Sequence, residues 1–335
     1  MYDMHKELNE FYEEHVRLKD EQKKLAEHRD SNLNRLKDGL KKLDYPHNFD
    51  SKNQGSYAMN TINKHLEKKY DIDVAVIFEK DDLPSNPADA RKRIEDAVIE
   101  GGGNFSTLPR AMTNAVRVSY AEGYHVDLAV YRKHKDIFGN AVIEHAGPEW
   151  TARNPVDITN WFTEAVQSKS PKKENGSVVA EMQLRRIVRW LKMFSKSRSS
   201  WDMPGGLVIS TLAVENYASN SYRDDSALYD TMVGIRNRLS GNKEVFNPVV
   251  STQYLTSREK DKARVKNFEK ELDIAIGKLN PLFNLSCRPV DALKAWNEVF
   301  DHFYWAAKIE EESKKSAVKK DGPVTVKPLG PYWNR

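Results

Sequence analysis

The sequence contains a single cysteine, Cys287, among 335 residues. One cysteine excludes a disulfide within the chain and a cysteine-rich zinc site. No apolar run approaches the roughly 18 residues that a membrane-spanning helix requires, and the N-terminal residues lack the apolar core of a secretory signal. These absences predict a cytoplasmic protein without a membrane partner.

A large excess of charge of one sign is also absent, since 53 Lys and Arg face 49 Asp and Glu, a net charge of +4. This excess is too small to require a nucleic-acid partner, although basic side chains can still gather on one face. Hydrophobic residues make up 39% and charged residues 30%, which is typical of a globular protein with a charged surface. The length allows two packed lobes with a cleft between them.

Leucines between Leu8 and Leu43 recur mostly at intervals of three, four or seven, which predicts one long helix over residues 4–44, ended by Pro46. A coiled-coil arm is the alternative. Polar residues fill much of the seam, so we expect the helix to pack along its own protein.

Strand and helix patterns follow in separate halves of the chain. Alternation predicts a strand at 70–78 and a hairpin of two strands, 115–120 and 124–131, joined by three residues. A helix is predicted at 88–100. Beyond about residue 170, helical periodicity predicts helices at 176–197, 207–219, 226–239, 258–278 and 290–312. The fold class is therefore α+β, with a mixed-sheet lobe and long N-terminal helix over 1–165, a helical lobe over 166–313, and an extended tail over 314–335.

Three aspartates lie at matching places on the predicted strands. Asp71 and Asp73 project from one face about 7 Å apart at their Cα atoms, and Asp127 has the same polar register on another strand. Clustered carboxylates repel one another unless cations neutralise them. Oxygen ligands favour magnesium or manganese, and a pair of such ions about 4 Å apart activates a hydroxyl and neutralises a triphosphate leaving group. The alternative is ordinary solvated alternation.

Gly55 and Ser56 precede these strands at the predicted start of a short helix. A backbone without a side chain, a hydroxyl donor and free N–H groups suit phosphate binding. A plain helix cap at Ser56 is the alternative. Gly-Ser, then Asp-x-Asp on a strand, then a further strand aspartate together indicate nucleotidyl transfer.

The segments QGSYAMNT at 54–61, YDIDVAVIF at 70–78 and YHVDLAVY at 124–131 resemble the polymerase-β-type nucleotidyltransferase superfamily. Within it, the sequence is similar to the bacterial cGAS/DncV-like nucleotidyltransferases (CD-NTases) of CBASS anti-phage systems. The resemblance implies a polymerase-β-like catalytic lobe, a helical lobe like that of oligoadenylate synthase, and two Mg²⁺ ions, with Mn²⁺ as a substitute. It implies that Asp71, Asp73 and Asp127 are the catalytic metal ligands. It also assigns nucleotide binding to Gln54, Gly55 and Ser56, with the donor phosphates at the last two.

A basic stripe marks the predicted helix 176–197, where Arg185, Arg189, Lys192 and Lys196 share a face. A solvated face is the alternative reading, and we prefer it for Arg185 and Lys196. The family places a lysine on this helix and a small hydroxyl residue on the next against the donor triphosphate. Lys192 and Thr211 match this description, and Ser210, one residue away, stays as an alternative to Thr211.

Two positions depart from the family pattern: Asn60 and Ala75 stand where glycine is frequent. The single cysteine also means that the zinc insertion of animal cGAS is missing, so no DNA activator is expected. For His125 we expect a structural role rather than that of a general base. Trp201 is equally compatible with stacking on a base and with anchoring the core.

Three functions remain compatible with the sequence. The first is synthesis of a cyclic di- or trinucleotide from nucleoside triphosphates, ATP among them, for an effector protein that the resemblance implies. The second is a template-independent polymerase that modifies RNA ends or small molecules, and it is disfavoured by the small net charge. The third is a non-catalytic binding module, and the complete set of three aspartates argues against it.

Overall fold

The computed structural model describes residues 1–19, 21–64, 70–105, 107–172 and 182–320, and the side chains of the last helix as far as residue 315. The fold is α+β, as predicted. Within the described residues the helices are α1 (His5–Phe11), α2 (Glu21–Lys42), α3 (Gly55–Ala58), α4 (Pro87–Glu100), α5 (Asp157–Lys169), α6 (Gln183–Ser195), α7 (Gly206–Asn216), α8 (Asp224–Gly241), α9 (Glu259–Lys278), α10 (Pro289–Phe300) and α11 (Phe303–Lys320).

A mixed sheet occupies the first half of the chain. Within the described residues its strands are β1 (Asp50–Gln54), β2 (Tyr70–Glu79), β3 (Arg110–Ala111), β4 (Val116–Ser119), β5 (Tyr124–Lys135), β6 (Ala141–Ala146) and β7 (Trp150–Ala152). Their order is β1-β2-β5-β4-β3, and the far end of β5 also pairs with β6, which pairs with β7. Strands β2 and β5 are parallel, and the other neighbours are antiparallel.

The predicted hairpin of β4 and β5 is confirmed. Four residues, 120–123, connect the strands where three were predicted, and Gly123 takes a φ of +92°, which glycine adopts without steric cost. The Gly123 N–H donates to the carbonyl of Tyr120, closing the turn. This turn sets the register that places Arg117 opposite Asp127.

The single helix predicted over residues 4–44 is interrupted in the structure. Tyr12–Val16 forms a π-helical turn after α1, and Arg17 is extended. The two halves bury their apolar side chains in different cores, Leu8 among the C-terminal helices and Leu36 against the sheet. One straight helix cannot face both cores. The second half, α2, still packs along its own protein rather than forming an arm.

Two hydrophobic cores define the lobes. One face of the sheet packs against α2 and α4 in the sheet lobe. The other core joins α5 through α11. The N-terminal segment as far as Val16 adds Met4, Leu8 and Phe11 to this second core, although the predicted division at residue 165 assigned that segment to the sheet lobe. A small additional hairpin in this half pairs β8 (Phe246–Asn247) with β9 (Val250–Tyr254).

Helix boundaries in the second half differ from the prediction in two places. The helix predicted at 290–312 divides into α10 and α11 because Asp301 adopts a left-handed conformation, with a φ of +46°. Helix α11 continues to Lys320, so the extended tail predicted from residue 314 is wrong for 314–320, and residues 321–335 lie outside the described residues. The first part of the helix predicted at 176–197 also lies outside them. Among the described residues, no helix combines the length and apolar character needed to cross a bilayer.

Candidate nucleotidyl-transfer site

Asp73 and Asp127 are directly paired in register on the adjacent parallel strands β2 and β5. Parallel neighbours lie about 4.8 Å apart, and paired residues point to the same face. Asp71 has the same orientation two residues before Asp73 and is exposed. The intervening residues Ile72 and Val126 are fully buried on the opposite face. The strand pairing thus brings the three predicted carboxylates to one face, and apolar packing fixes that orientation.

Gly55 lies directly above this carboxylate pair. It follows Gln54, which pairs with Asp73, and takes a φ of +59° at the start of α3. A Cβ added at Gly55 would lie 2.0 Å from Oδ2 of Asp73. Both the backbone conformation and the close approach therefore require glycine here. The phosphate-binding turn predicted from the sequence is in contact with the predicted metal ligands.

Repulsion within the carboxylate group is visible at Asp73. Burial, followed by the charges of Asp127 and Asp71, raises the pKa of Asp73 from 3.8 to about 6, and Arg117 and Arg153 oppose this shift. Two carboxylates side by side disfavour simultaneous ionisation unless a cation intervenes. The site therefore favours the arrival of positive charge.

Arg117 supplies part of that charge. From β4 it reaches across to Asp127, with Nε donating to Oδ1 at 2.8 Å and Nη2 donating to Oδ2 at 2.7 Å. This bidentate ion pair raises the pKa of Arg117, mainly through the hydrogen bonds to Asp127. Both oxygens of Asp127 are thus engaged by an internal cation.

The three carboxylates suit a divalent cation because they offer oxygen ligands, lie on one face of the sheet and repel one another when no cation is bound. In the part of the chain that the structure describes, however, no three Asp, Glu, His or Cys side chains are arranged to hold a metal ion. Both Asp127 oxygens instead accept hydrogen bonds from Arg117 on β4. Joint ligation by all three aspartates remains a prediction that requires Asp127 to exchange partners.

Gln54 and Ser56 flank Gly55 and differ in accessibility. The Gln54 amide is buried and donates to the Tyr131 hydroxyl at 2.9 Å and to the Pro155 carbonyl at 3.2 Å. Ser56 is only partly buried and borders a pocket of about 240 Å³ with Leu18 and Tyr57. Gln54 therefore braces the end of β1, and Ser56 is the accessible hydroxyl beside the turn.

Lys192 on α6 reaches the loop that follows α3. Its Nζ donates to the Thr61 carbonyl at 2.8 Å and lies 3.3 Å from the Thr61 hydroxyl. Burial, then the charges of Lys196 and Arg189, lowers the pKa of Lys192 from 10.5 to about 7. The side chain remains partly exposed. An ammonium that is poorly compensated by protein groups is suited to an incoming anion.

Ser210 and Thr211 lie on α7, which begins beside Lys192 at Gly206. Both are buried, and each donates its hydroxyl to a carbonyl one turn back, Ser210 to Gly206 at 2.8 Å and Thr211 to Leu207 at 3.0 Å. The structure thus places these hydroxyls inside the helical lobe. Contact with a triphosphate, as the sequence predicts for one of them, would require a change of rotamer and of packing.

Two further aromatic residues of the sequence analysis have structural environments. His125 lies 3.1 Å from the Ser119 hydroxyl across the hairpin. Trp201 packs edge-on against Phe194 in the helical core, with Arg198 over its ring. Both environments favour structural roles.

Arg117 and Thr61 were not predicted from the sequence. Arg117 belongs to the alternating pattern of β4, so its face was readable, but its partner depended on the hairpin register. Thr61 contributes chiefly a carbonyl oxygen, which no side-chain pattern reveals.

Residues 50–131, which run from β1 into β5, match the family model described as cyclic GMP-AMP synthase DncV-like, nucleotidyltransferase domain. Over these residues the chain is similar to the DncV-like nucleotidyltransferase domain. The matched segment contains the three aspartates, Gly55, Ser56 and Arg117, whereas Lys192 belongs to the helical lobe beyond it.

Solved structures share the fold over nearly the whole chain. DncV cyclic AMP-GMP synthase of Vibrio cholerae, in complex with the linear intermediate pppA(3′,5′)pG, has a TM-score of 0.68 at 15% identity, covering 90% of this chain and 96% of that one. CdnC of Escherichia coli MS115-1 with ATP has a TM-score of 0.64 at 15% identity, covering 90% and 98%. The CD-NTase CdnG of Bradyrhizobium diazoefficiens with GTP has a TM-score of 0.64 at 15% identity, covering 88% and 95%. The helical lobe therefore accompanies the DncV-like domain in the same arrangement as in these CD-NTases.

Proposed function

We propose that this protein is a metal-dependent nucleotidyltransferase that joins nucleoside triphosphates, ATP among them, into a cyclic di- or trinucleotide second messenger. The observation that carries the proposal is the pairing of Asp73 with Asp127 directly beneath Gly55. It supports the proposal because these predicted metal ligands lie against the predicted phosphate-binding turn, within the segment that matches the DncV-like nucleotidyltransferase domain.

Each predicted residue has a separate task in this proposal. Asp71, Asp73 and Asp127 would hold two Mg²⁺ ions, or Mn²⁺, which supply activation of a hydroxyl and neutralisation of the leaving triphosphate. Gly55 admits a phosphate close to Asp73 because it has no side chain, and Ser56 offers a hydroxyl donor. Lys192 exchanges the Thr61 carbonyl for a phosphate oxygen as the lobes close on the nucleotide, with Thr211 or Ser210 beside it.

A short cyclic product is favoured over a polymer by the kind of lobe that faces the site. The described second half is a compact helical lobe like that of the CD-NTases, whose Vibrio cholerae member has been solved with a linear dinucleotide intermediate. We place the product in CBASS anti-phage signalling, where it would activate an effector protein.

The test is product analysis. The purified chain is incubated with all four labelled ribonucleoside triphosphates and Mg²⁺, and phosphatase-resistant products are resolved and weighed by mass spectrometry. We expect a cyclic di- or trinucleotide from the wild type and none from Asp73→Asn. Long linear products, or nucleotides added to an RNA end, would replace the proposal with a template-independent polymerase.

A non-catalytic nucleotide-binding module is the second candidate, and the ion pair of Arg117 with Asp127 is the observation that favours it. In such a module Arg117 would replace the metal permanently. Nucleotide binding that is unaffected by Mn²⁺, together with the absence of any product, would support this candidate.

A further inference from the structure

The loop from Met59 to Lys64 joins the Gly-Ser turn to the helical lobe. It is bonded to the turn, because the Thr61 N–H donates to the Ser56 carbonyl at 2.8 Å and the Met59 N–H to that of Gly55 at 3.1 Å. It is bonded equally to α6: the Asn63 amide donates to the Arg189 carbonyl at 2.7 Å, and Lys192 donates to Thr61. The loop therefore links α6 to the turn through an unbroken series of hydrogen bonds.

Asn60 makes the side-chain contact at the centre of the loop. Its Oδ1 accepts a hydrogen bond at 3.0 Å from Nη2 of Arg189, whose other terminal nitrogen donates to the Tyr12 hydroxyl at 2.6 Å. Arg189 is 0% exposed. A buried guanidinium requires acceptors at its donors, so removal of the Asn60 oxygen leaves a charged group poorly satisfied.

The backbone of Asn60 shows why an asparagine can occupy this place. Its φ is +53°, in the left-handed region that glycine adopts freely and asparagine tolerates better than most residues. Glycine would allow the same loop conformation but would offer no acceptor to Arg189. Asparagine therefore adds a lobe-to-lobe hydrogen bond without changing the path of the chain.

We propose that Asn60 is a positioning residue that, through Arg189, holds Lys192 in line with the phosphate-binding turn at Gly55 and Ser56. Arg189 and Lys192 are three residues apart on α6 and so lie on neighbouring parts of one face. Arg189 is fully buried and bonded to Asn60, whereas Lys192 is partly exposed, and in the proposed function its Nζ moves from Thr61 to a phosphate. This inference rests on the proposed function, since it assigns Lys192 to the triphosphate.

The decisive variant is Asn60→Gly, which keeps the left-handed backbone and removes only the acceptor. We expect it to weaken binding of a non-hydrolysable ATP analogue, with Mg²⁺ present, by about 5- to 20-fold, less than the full value of a charge-assisted hydrogen bond because the lost bond acts on Lys192 only through Arg189. Asn60→Asp tolerates the same backbone and retains an acceptor, so it should restore affinity to within about threefold of the wild type. Gln22→Ala is the matched control, because Gln22 makes only a long, exposed contact of 3.3 Å to the same Asn60 oxygen.

A double-mutant cycle separates positioning from general stability. If Asn60 acts through Lys192, Asn60→Gly should have little further effect on affinity in a Lys192→Met background. Additive losses in the double variant, or wild-type affinity in Asn60→Gly, would overturn the inference while leaving the proposed function intact. Absence of nucleotide binding in the wild type would overturn both. If Asn60→Gly melts below the assay temperature, Arg189→Lys, which keeps the charge but loses the guanidinium that reaches both Asn60 and Tyr12, replaces it in the same cycle with the same expected non-additivity.

Discussion

At Asp73, burial and two neighbouring carboxylates act in the same direction and raise the pKa to about 6. Because this value exceeds the ordinary 3.8, the folded protein binds a proton at Asp73 more tightly than the unfolded chain does. The free energy of unfolding should therefore fall as the pH rises from about 4 through 6 when no metal is present.

Asp73→Asn should remove this pH dependence, because the amide cannot ionise. We expect the variant to be more stable than the wild type by about 1–2 kcal/mol at pH 7.5 without divalent metal, and the gain to vanish near pH 4. Urea unfolding at both pH values with EDTA measures this. Asp71→Asn, on an exposed residue of the same strand, is the control and should gain less. A gain that is equal at both pH values would show that repulsion is not its source.

Arg117 and a divalent cation compete for the same oxygens of Asp127. Arg117→Gln should therefore bind Mn²⁺ more tightly, by about 3- to 10-fold, because the ion no longer displaces a bidentate partner. Electron paramagnetic resonance titration of free Mn²⁺ gives the affinity. Arg132→Gln is the control, because Arg132 on β5 forms another ion pair, with Glu144 at 2.7 Å, away from the three aspartates. It should leave Mn²⁺ affinity unchanged. Weaker Mn²⁺ binding in Arg117→Gln would mean that Arg117 orients Asp127 for the metal instead.

Among the elements, the turn from β1 into α3 carries a tight geometric constraint at the carboxylates. Gly55→Ala should lower the free energy of unfolding by about 2–4 kcal/mol and abolish nucleotide binding, because the new Cβ meets the Asp73 carboxylate and the positive φ disfavours alanine. Gly102→Ala is the control: its φ is +89°, but no atom lies within 4 Å of an added Cβ. It should cost about 1 kcal/mol and leave nucleotide binding intact. Equal effects of the two substitutions on binding would show that contact with Asp73 is not needed.

The sheet elements could be predicted from the sequence because alternation of apolar and polar residues indicates both a strand and which of its faces is buried. The strand at 70–78, the hairpin and the common face of the aspartates followed from that period, although the connection in the hairpin has four residues rather than three. The single N-terminal helix was predicted wrongly because its apolar stripe is continuous in sequence, although the two halves of the stripe pack into two different cores. The break at Asp301 was missed because that aspartate adopts the conformation usually taken by glycine.

Contacts that involve main-chain atoms, or that depend on the pairing register of two strands, could not be predicted from the sequence for a different reason. Arg117 meets Asp127 only because β4 and β5 pair at one offset, and Lys192 meets a carbonyl that any residue at position 61 would supply. Likewise, periodicity does not show that the Ser210 and Thr211 hydroxyls bond to their own helix.

On the scale of the whole molecule, Lys192 joins the helical lobe to the nucleotide turn. Its pKa of about 7 means that much of it is neutral near pH 8, and a neighbouring triphosphate should raise the pKa. Nucleotide binding at pH 8 should therefore take up protons, by up to about one per site. Calorimetry in buffers of different ionisation enthalpy measures the uptake, and Lys192→Met should lack most of it. Equal uptake in that variant would assign the proton to another group.

Anomalous diffraction would decide whether Asp71, Asp73 and Asp127 form one metal-dependent site beneath Gly55. Crystals grown with Mn²⁺ and a non-hydrolysable ATP analogue would be measured near the manganese absorption edge. We predict anomalous peaks bound by all three aspartates, with Asp127 released from Arg117 and the triphosphate lying against Gly55 and Ser56. Bound nucleotide without a manganese peak at these carboxylates, and with Asp127 still paired to Arg117, would contradict the account.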